Sequence, residues 1–278
     1  MNFSEEPKLS GFPSISKSMS PLTKAFPDSF SLAGEMALIT GGGTGIGFAM
    51  ARCFAQAGAR VVLVGRRAAE LESAVTKIGP AAFALPFDIR DSGRVSELES
   101  SVRNSTGQSP TILVHNAGIH LKKPATETTV DDFRDVLETH VLAAHALTAA
   151  LLPGMQEVGR GSILFTASMA SLFGIPRVIA YSAAKSAYLG MVRTLATEVS
   201  AKGVRVNAIA PGWIESDMMR KALDSDPARR DRILARTPMG RFGTAEEIGW
   251  AAVFLCSSAA SFITGTILPV DGGASIGF

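Results

Sequence analysis

Short apolar runs separated by longer amphipathic segments constrain this chain more than any single residue does. The runs cover 36–40, 60–64, 82–87, 111–115, 162–166, 205–209 and 266–270. Several are apolar throughout rather than alternating, as strands buried on both faces are. Between them, 45–57, 68–78, 92–105, 130–155 and 180–201 repeat apolar residues at three- and four-residue spacing, the pattern of helices with one buried stripe. Strand, helix, strand repeated in this way demands parallel pairing through right-handed crossovers, with helices over both faces. The expected fold is therefore α/β, a single doubly wound parallel sheet of about seven strands.

That domain spans 32–278, and 1–31, where Pro7, Pro13, Pro21 and Pro27 interleave with serines, reads as an irregular N-terminal extension. Residues 212–242 are rich in charge, contain Pro227, Pro238 and Gly240, and follow a strand end, where open α/β sheets place ligands. We read them as a substrate lid, with a surface helical hairpin as the alternative. The formal charge of +2 comes from 27 basic and 25 acidic residues that are interspersed, so no basic stripe points to nucleic acid or an anionic membrane. Cys53 and Cys256 lie in apolar, helical contexts without paired spacing, which suits reduced thiols of a cytoplasmic protein and no metal site. The uncharged stretch 248–270 is long enough to span a bilayer, but Ser257, Ser258, Ser261, Thr264, Gly265 and Pro269 divide it into a buried helix, a turn and a buried strand.

Thr40-Gly41-Gly42-Gly43-Thr44-Gly45-Ile46-Gly47 joins the first expected strand to the first helix. Glycines there permit a tight turn and close approach to a pyrophosphate, and the helix N-terminus offers unpaired N–H groups, as in Rossmann dinucleotide sites. The spacing is G-x-x-x-G-x-G, with Gly41, Gly45 and Gly47, not the generic G-x-G-x-x-G. At the end of the second strand, Val64-Gly65-Arg66-Arg67 has no carboxylate before Glu70. A basic residue there pairs with a ribose 2′-phosphate, so NADP is favoured over NAD, with Arg66 as first partner and Arg67 as second. Thr44 is neutral where another basic contact would have strengthened that choice, so NAD stays possible.

Tyr181 and Lys185 stand four residues apart, on one face of an expected helix. An ammonium beside a phenol is expected to lower the phenol pKa toward a range where protons exchange usefully. Alone, the pair equally describes a core tyrosine with a surface lysine one turn on. Tyr188, with Val192 at the same offset, carries no such pairing.

The glycine turn, Asn116-Ala117-Gly118 after the fourth strand, and Ser168 thirteen residues before Tyr181-x-x-x-Lys185 together resemble the short-chain dehydrogenase/reductase family, from about Leu32 to the C-terminus. The resemblance implies hydride transfer between a nicotinamide and a carbinol or carbonyl carbon. Tyr181 would exchange the proton, Ser168 would hold the substrate oxygen, and Lys185 would hold the nicotinamide ribose. The cofactor contacts it implies are Gly41, Thr44, Gly45, Ile46, Gly47, Asp88 near the adenine, Asn116, Ala117, Gly118, Pro211 and Gly212 beside the nicotinamide, Ile214, and Ser216 at the carboxamide. His140 stands where the family has an asparagine that completes a proton relay to the lysine; as an imidazole titrating near neutrality it is expected to join that relay or to pack structurally. His115 replaces the first asparagine of the usual Asn-Asn-Ala-Gly without catalytic consequence.

The C-terminal third is similar to the gluconate 5-dehydrogenase branch, which implies a sugar acid or polyol substrate, and nearly as similar to 3-oxoacyl-carrier-protein reductases. His120, Met169, Phe173, Arg177 and Trp213 are expected to line the pocket, with Arg177 either meeting a substrate carboxylate or lying on the surface. A nicotinamide-binding sensor or scaffold without turnover is the alternative of another class. The family implies a homo-oligomer, tetramer or dimer.

Overall fold

The computed structural model describes residues 27–277, except 217, 218, 220–222, 224 and 225. Its strands are β1 (Met36–Thr40), β2 (Arg60–Gly65), β3 (Ala82–Pro86), β4 (Ile112–His115), β5 (Gly161–Thr166), β6 (Val204–Pro211) and β7 (Ile267–Val270). They form one sheet in the order β3-β2-β1-β4-β5-β6-β7, every pair parallel. The helices are α1 (Gly45–Gln56), α2 (Ala68–Ile78), α3 (Val95–Thr106), α4 (Val130–Leu137), α5 (Ala143–Val158), α6 (Ile179–Val199), α7 (Pro227–Arg236) and α8 (Ala245–Cys256).

Alternation within each strand divides the core in two. Leu38, Val62, Leu113, Ile163, Phe165 and Val206 meet α3, α5 and α6 on one face through Leu98, Leu147, Leu151 and Val192. Ile39, Leu63, Val114, Leu164 and Ile209 meet α1, α2 and α8 on the other through Met50, Phe54, Leu71 and Ile248. Both strand faces are thus covered, which is why these runs need no polar alternation. The two edge strands differ: β3 and β7 are only half buried, and in β7, where a buried strand is expected, Pro269 sits because an edge strand tolerates a missing N–H.

Residues 130–158 form one continuous helical run, long and apolar enough by length and composition to cross a membrane. Here it is a core element: Val136, His140, Ala144, Leu147, Leu151 and Met155 are buried. A π-helical turn, Glu138–Leu142, separates α4 from α5 and carries His140. The last part of the expected irregular extension is ordered, because Asp28–Phe30 is a 3-10 turn whose Phe30 ring packs 6.2 Å from Phe254 of α8. The remainder, 1–26, lies outside the described residues, as does part of the expected lid; α7 is its described helix.

Helices α1 and α8 approach closely because Gly249 has no side chain: a Cβ there would stand 2.6 Å from Cys53 Sγ and 3.1 Å from the Ala49 carbonyl. Gly249→Ala should destabilise the protein by about 1–3 kcal/mol through overpacking. Adding Cys53→Ala should recover part of that loss, read as denaturation midpoints in urea around a double-mutant cycle.

Candidate functional site

The strand order reverses between β1 and β4, and a groove opens above their carboxyl ends. Thr40 holds the two strands together there. Its hydroxyl donates to the Val114 carbonyl at 3.1 Å and accepts the N–H groups of Asn116 and Ala117, each at 3.0 Å. The Asn116 side-chain amide donates to the Thr40 carbonyl at 3.1 Å and lies 3.4 Å from that of Gly41. Gly41 and Gly45 both need positive φ, 67° and 55°. A Cβ on Gly47 would run into the Gly41 carbonyl.

Two cavities share this groove. The first, of about 340 Å³, is lined by Gly41, Thr44, Arg66, Arg67, Asp88, Asn116, Ala117 and Gly118. The N-terminus of α1 opens toward it with no side-chain cap from Thr44, leaving first-turn N–H groups for an anion. Arg67 is engaged by Glu70 at 2.6 Å, whereas Arg66 has no ion-pair partner among the described residues. Asp88 is held by Arg90 at 2.8 Å, which keeps its carboxyl below the usual range. These features fit a phosphorylated dinucleotide: an uncapped helix start for its pyrophosphate and a free guanidinium where a ribose phosphate would lie.

The second cavity, of about 830 Å³, adjoins the first at Asn116 and Gly118. Ile46, His140, Ser168, Tyr181, Lys185, Pro211, Gly212, Ile214 and Ser216 line it, and so do His120, Met169, Arg177 and Trp213. Gly45 and Gly47 line neither cavity and shape the turn instead. Phe173 is not in this cavity: it lines a neighbouring cleft and is covered by the Arg236 guanidinium, 4.1 Å from its ring centroid. Ser168 stands two residues beyond β5 and caps the 3-10 turn that follows, its hydroxyl accepting from Ala170 N–H at 3.1 Å.

The electrostatics correct the expectation drawn from the tyrosine–lysine spacing. Burial raises the Tyr181 pKa, and the Ser168 hydroxyl, facing the phenol, pulls it down. Lys185 makes no resolved contribution to lowering it. The lysine is 3% exposed, its Nζ donates to the Thr166 carbonyl at 2.6 Å, and burial brings its own pKa down to about 7. A lysine whose charged form burial disfavours is a weaker positive neighbour than the spacing argument needs.

His140 also departs from expectation. It is 1% exposed, and burial, then the Lys185 charge, lower its pKa to about 3, so it stays neutral across the physiological range. Its Nε2 faces Ile119, either donating to the carbonyl at 2.9 Å or accepting the N–H at 3.1 Å according to tautomer, and Nδ1 is buried without a partner among the described residues. No imidazole bond reaches Lys185. A Cβ on Gly118 would run into His140 Cε1, so the larger side chain at 140 makes glycine obligatory at 118. His115, bonded to Thr148 at 2.9 Å and packed 4.6 Å from the Phe165 ring, is a neutral core residue whose pKa burial lowers to about 3.

Tyr188 was missed by the sequence reading. Its hydroxyl donates to the His140 carbonyl at 2.9 Å and its ring lies 4.9 Å from Lys185 Nζ. The available signal was its position three residues after Lys185, on the same helical face.

Between pH 7 and about 10.5 the unfolded chain binds a proton at Lys185 that the folded protein does not, so stability rises with pH through that window. The stability of the wild type relative to Lys185→Met should therefore fall as pH drops from 10 to 7 and level off below, measured by chemical denaturation at each pH.

A family model described as enoyl-(acyl carrier protein) reductase matches residues 41–275. The chain is 40% identical over 227 residues to the inactive 2-(S)-hydroxypropyl-CoM dehydrogenase 2 of Xanthobacter autotrophicus, covering 81% of this chain and 98% of that protein. It is 37% identical over 253 residues to gluconate 5-dehydrogenase of Gluconobacter oxydans, covering 90% and 98%. Among solved structures, a gluconate 5-dehydrogenase from Burkholderia cenocepacia J2315 in complex with NADP and tartrate superposes with a TM-score of 0.85 at 31% identity, covering 90% of this chain and 99% of that one.

Proposed function

Because this chain belongs to the short-chain dehydrogenase/reductase family, oxidoreductases acting on CH–OH groups, we propose that it interconverts a secondary alcohol and a ketone on a sugar acid or polyol, using NADP(H). The observation that carries this reading is the continuity of the two cavities: Ser168 and Tyr181 face one, Arg66 faces the other, and both meet at Asn116 and Gly118. The NADP-bound Burkholderia relative supports the cofactor, and the Gluconobacter relative supports the substrate class.

Bound NADP(H) would supply or accept the hydride, held by the glycine turn, Arg66, Asp88, Asn116 and Lys185. The remaining work falls to this chain's side chains. In reduction the Tyr181 phenol, kept protonated by burial, gives its proton to the carbonyl oxygen, and the Ser168 hydroxyl holds that oxygen in line. Oxidation reverses the transfer, and the neighbouring Ser168 favours the phenolate it requires. Lys185, with a proton affinity near neutrality, exchanges protons in the same pH range. His140 acts as a positioning residue, holding Ile119 through its imidazole and Tyr188 through its carbonyl.

Reduction of a 3-oxoacyl-carrier-protein substrate is the second reading, supported by 35% identity over 243 residues to the 3-oxoacyl-(acyl-carrier-protein) reductase of Salmonella typhimurium. A sensor without turnover is the third, supported by the inactive Xanthobacter relative; the joint presence of Ser168, Tyr181 and Lys185 favours catalysis. Buried, unpaired Cys53 and Cys256 support a cytoplasmic setting, and the exposed Phe262 and Trp250 support a homo-oligomer. Residues 212–242 are proposed as the lid, since α7 supplies Arg229 and Ile233 to the cavity.

Purified protein should reduce keto-sugar acids with NADPH in preference to NADH. Tyr181→Phe should lower kcat by about 100-fold or more while NADPH still binds, followed by nucleotide fluorescence. Arg66→Gln should raise KM for NADPH roughly tenfold and leave NADH unaffected. NADPH binding with no turnover over a panel of keto acids, ketoses and acyl thioesters would establish the sensor instead.

A further inference from the structure

The larger cavity carries cations that the chemistry above does not use. Lys122, Arg177 and Arg229 line it together with buried Lys185, and no aspartate or glutamate lines it among the described residues. The three come from separate elements: Lys122 from the loop after β4, Arg177 from the segment before α6, and Arg229 from α7. None has a carboxylate ion-pair partner among the described residues. Among the described residues, Asp226 acts on Lys122 through space and accepts the Arg229 backbone N–H at 3.0 Å.

Their convergence is built into the backbone. Arg177 is the only non-glycine with positive φ among the described residues, 70°, a conformation that persists only where its surroundings enforce it. Its carbonyl accepts the Lys123 N–H at 2.8 Å, which fixes the loop carrying Lys122 against it. Burial and then the Arg229 and Arg177 charges press the Lys122 pKa down, with Asp226 opposing them only in part, so like charges crowd here. His120 connects this cluster to the chemistry. Its ring lies 4.8 Å from that of Tyr181, and after burial the charges of Lys122 and Arg229 are what lower its pKa.

We propose that Lys122, Arg177 and Arg229 form a carboxylate-binding subsite that holds the acid end of a hydroxy or keto acid while its reacting carbon faces Ser168 and Tyr181. This deepens, and rests on, the dehydrogenase reading above. Guanidinium forks suit a planar carboxylate, and Lys122 and Arg177, although solvent-exposed, border a cavity with no aspartate or glutamate among its described lining residues. Arg177 is thereby a specificity residue, and its enforced backbone conformation is the means by which it is aimed.

The test compares kcat/KM for 5-keto-D-gluconate, neutral L-sorbose and D-fructose 6-phosphate, with NADPH, in wild type and in Lys122→Gln, Arg177→Gln, Arg177→Lys and Arg229→Gln. The keto-acid to sorbose ratio should fall roughly tenfold to a hundredfold in each glutamine variant, the range for a lost charge-assisted bond, and be partly restored in Arg177→Lys. Calorimetric binding of D-gluconate to the NADP-loaded Tyr181→Phe protein, with and without each substitution, reads the subsite when turnover is absent. Weaker gluconate binding in the variants with no turnover of any ketone would sustain the subsite and overturn the dehydrogenase reading. Turnover with an unchanged ratio in all variants would sustain that reading and overturn the subsite. So would preference for the sugar phosphate, which would assign the cations to a phosphate group. Since Arg177 occupies a strained position, far-ultraviolet circular dichroism accompanies each variant, and Lys122→Gln and Arg229→Gln decide the case if Arg177→Gln does not fold.

Discussion

Everything in the site depends on the change of winding direction beside β1. β2 and β3 lie on one side of it and β4 on the other, so the loops leaving β1 and β4 must diverge, and the gap between them is where backbone from two halves of the sheet can meet a ligand together. Left to strand pairing alone that gap would have no fixed width. Thr40 sets it, because a hydroxyl that donates once and accepts twice is satisfied only when Val114, Asn116 and Ala117 hold their present places. The dinucleotide cleft and the reaction cavity meet at Asn116, beside this clip.

Desolvation, more than pairwise charge, governs the titratable groups around Tyr181. A tyrosine and a lysine one turn apart suggest a phenol acidified by an ammonium, and in water that inference would hold. Inside the protein the same burial that brings them together raises the phenol and lowers the ammonium to about 7. His115 and His140 are neutral for the same reason, both lowered to about 3. The polar floor of the site is therefore uncharged histidine, amide and hydroxyl, with Lys185 as the group whose charge changes near neutrality.

The fold was legible because its signals are local. Apolar runs of strand length, helical periods between them, and a glycine turn at a strand-to-helix junction each follow from a few neighbouring residues, and their alternation leaves parallel crossover as the economical topology. Ser168, Tyr181 and Lys185 were legible through their spacing and order. Tyr188 was not, since the carbonyl it bonds belongs to residue 140 and nothing in its own neighbourhood announces that partner. Lys122 and Arg229 were hidden for a similar reason: each is an ordinary surface cation in its own segment, and only the tertiary fold brings them to one cavity. The half-buried state of β7 was misread because a charge-free sequence does not distinguish a central strand from an edge strand.

The π-helical turn at Glu138–Leu142 has a further consequence. One extra residue in the repeat rotates all that follows by about a quarter turn, so α4 and α5 present different stripes although they form a single rod. Their allegiances differ accordingly: Val136 of α4 packs against Ala180 and Ala184 of α6, whereas Leu147 and Leu151 of α5 lie in the main core beneath the sheet. In evolutionary terms the rod has two reading frames, and His140 stands on the seam between them. A one-residue deletion anywhere in the turn would regularise the helix, but it would bring one half or the other out of frame. The seam is thus protected by the packing of residues far from it, and the chemistry of position 140 can vary only by exchange, never by length.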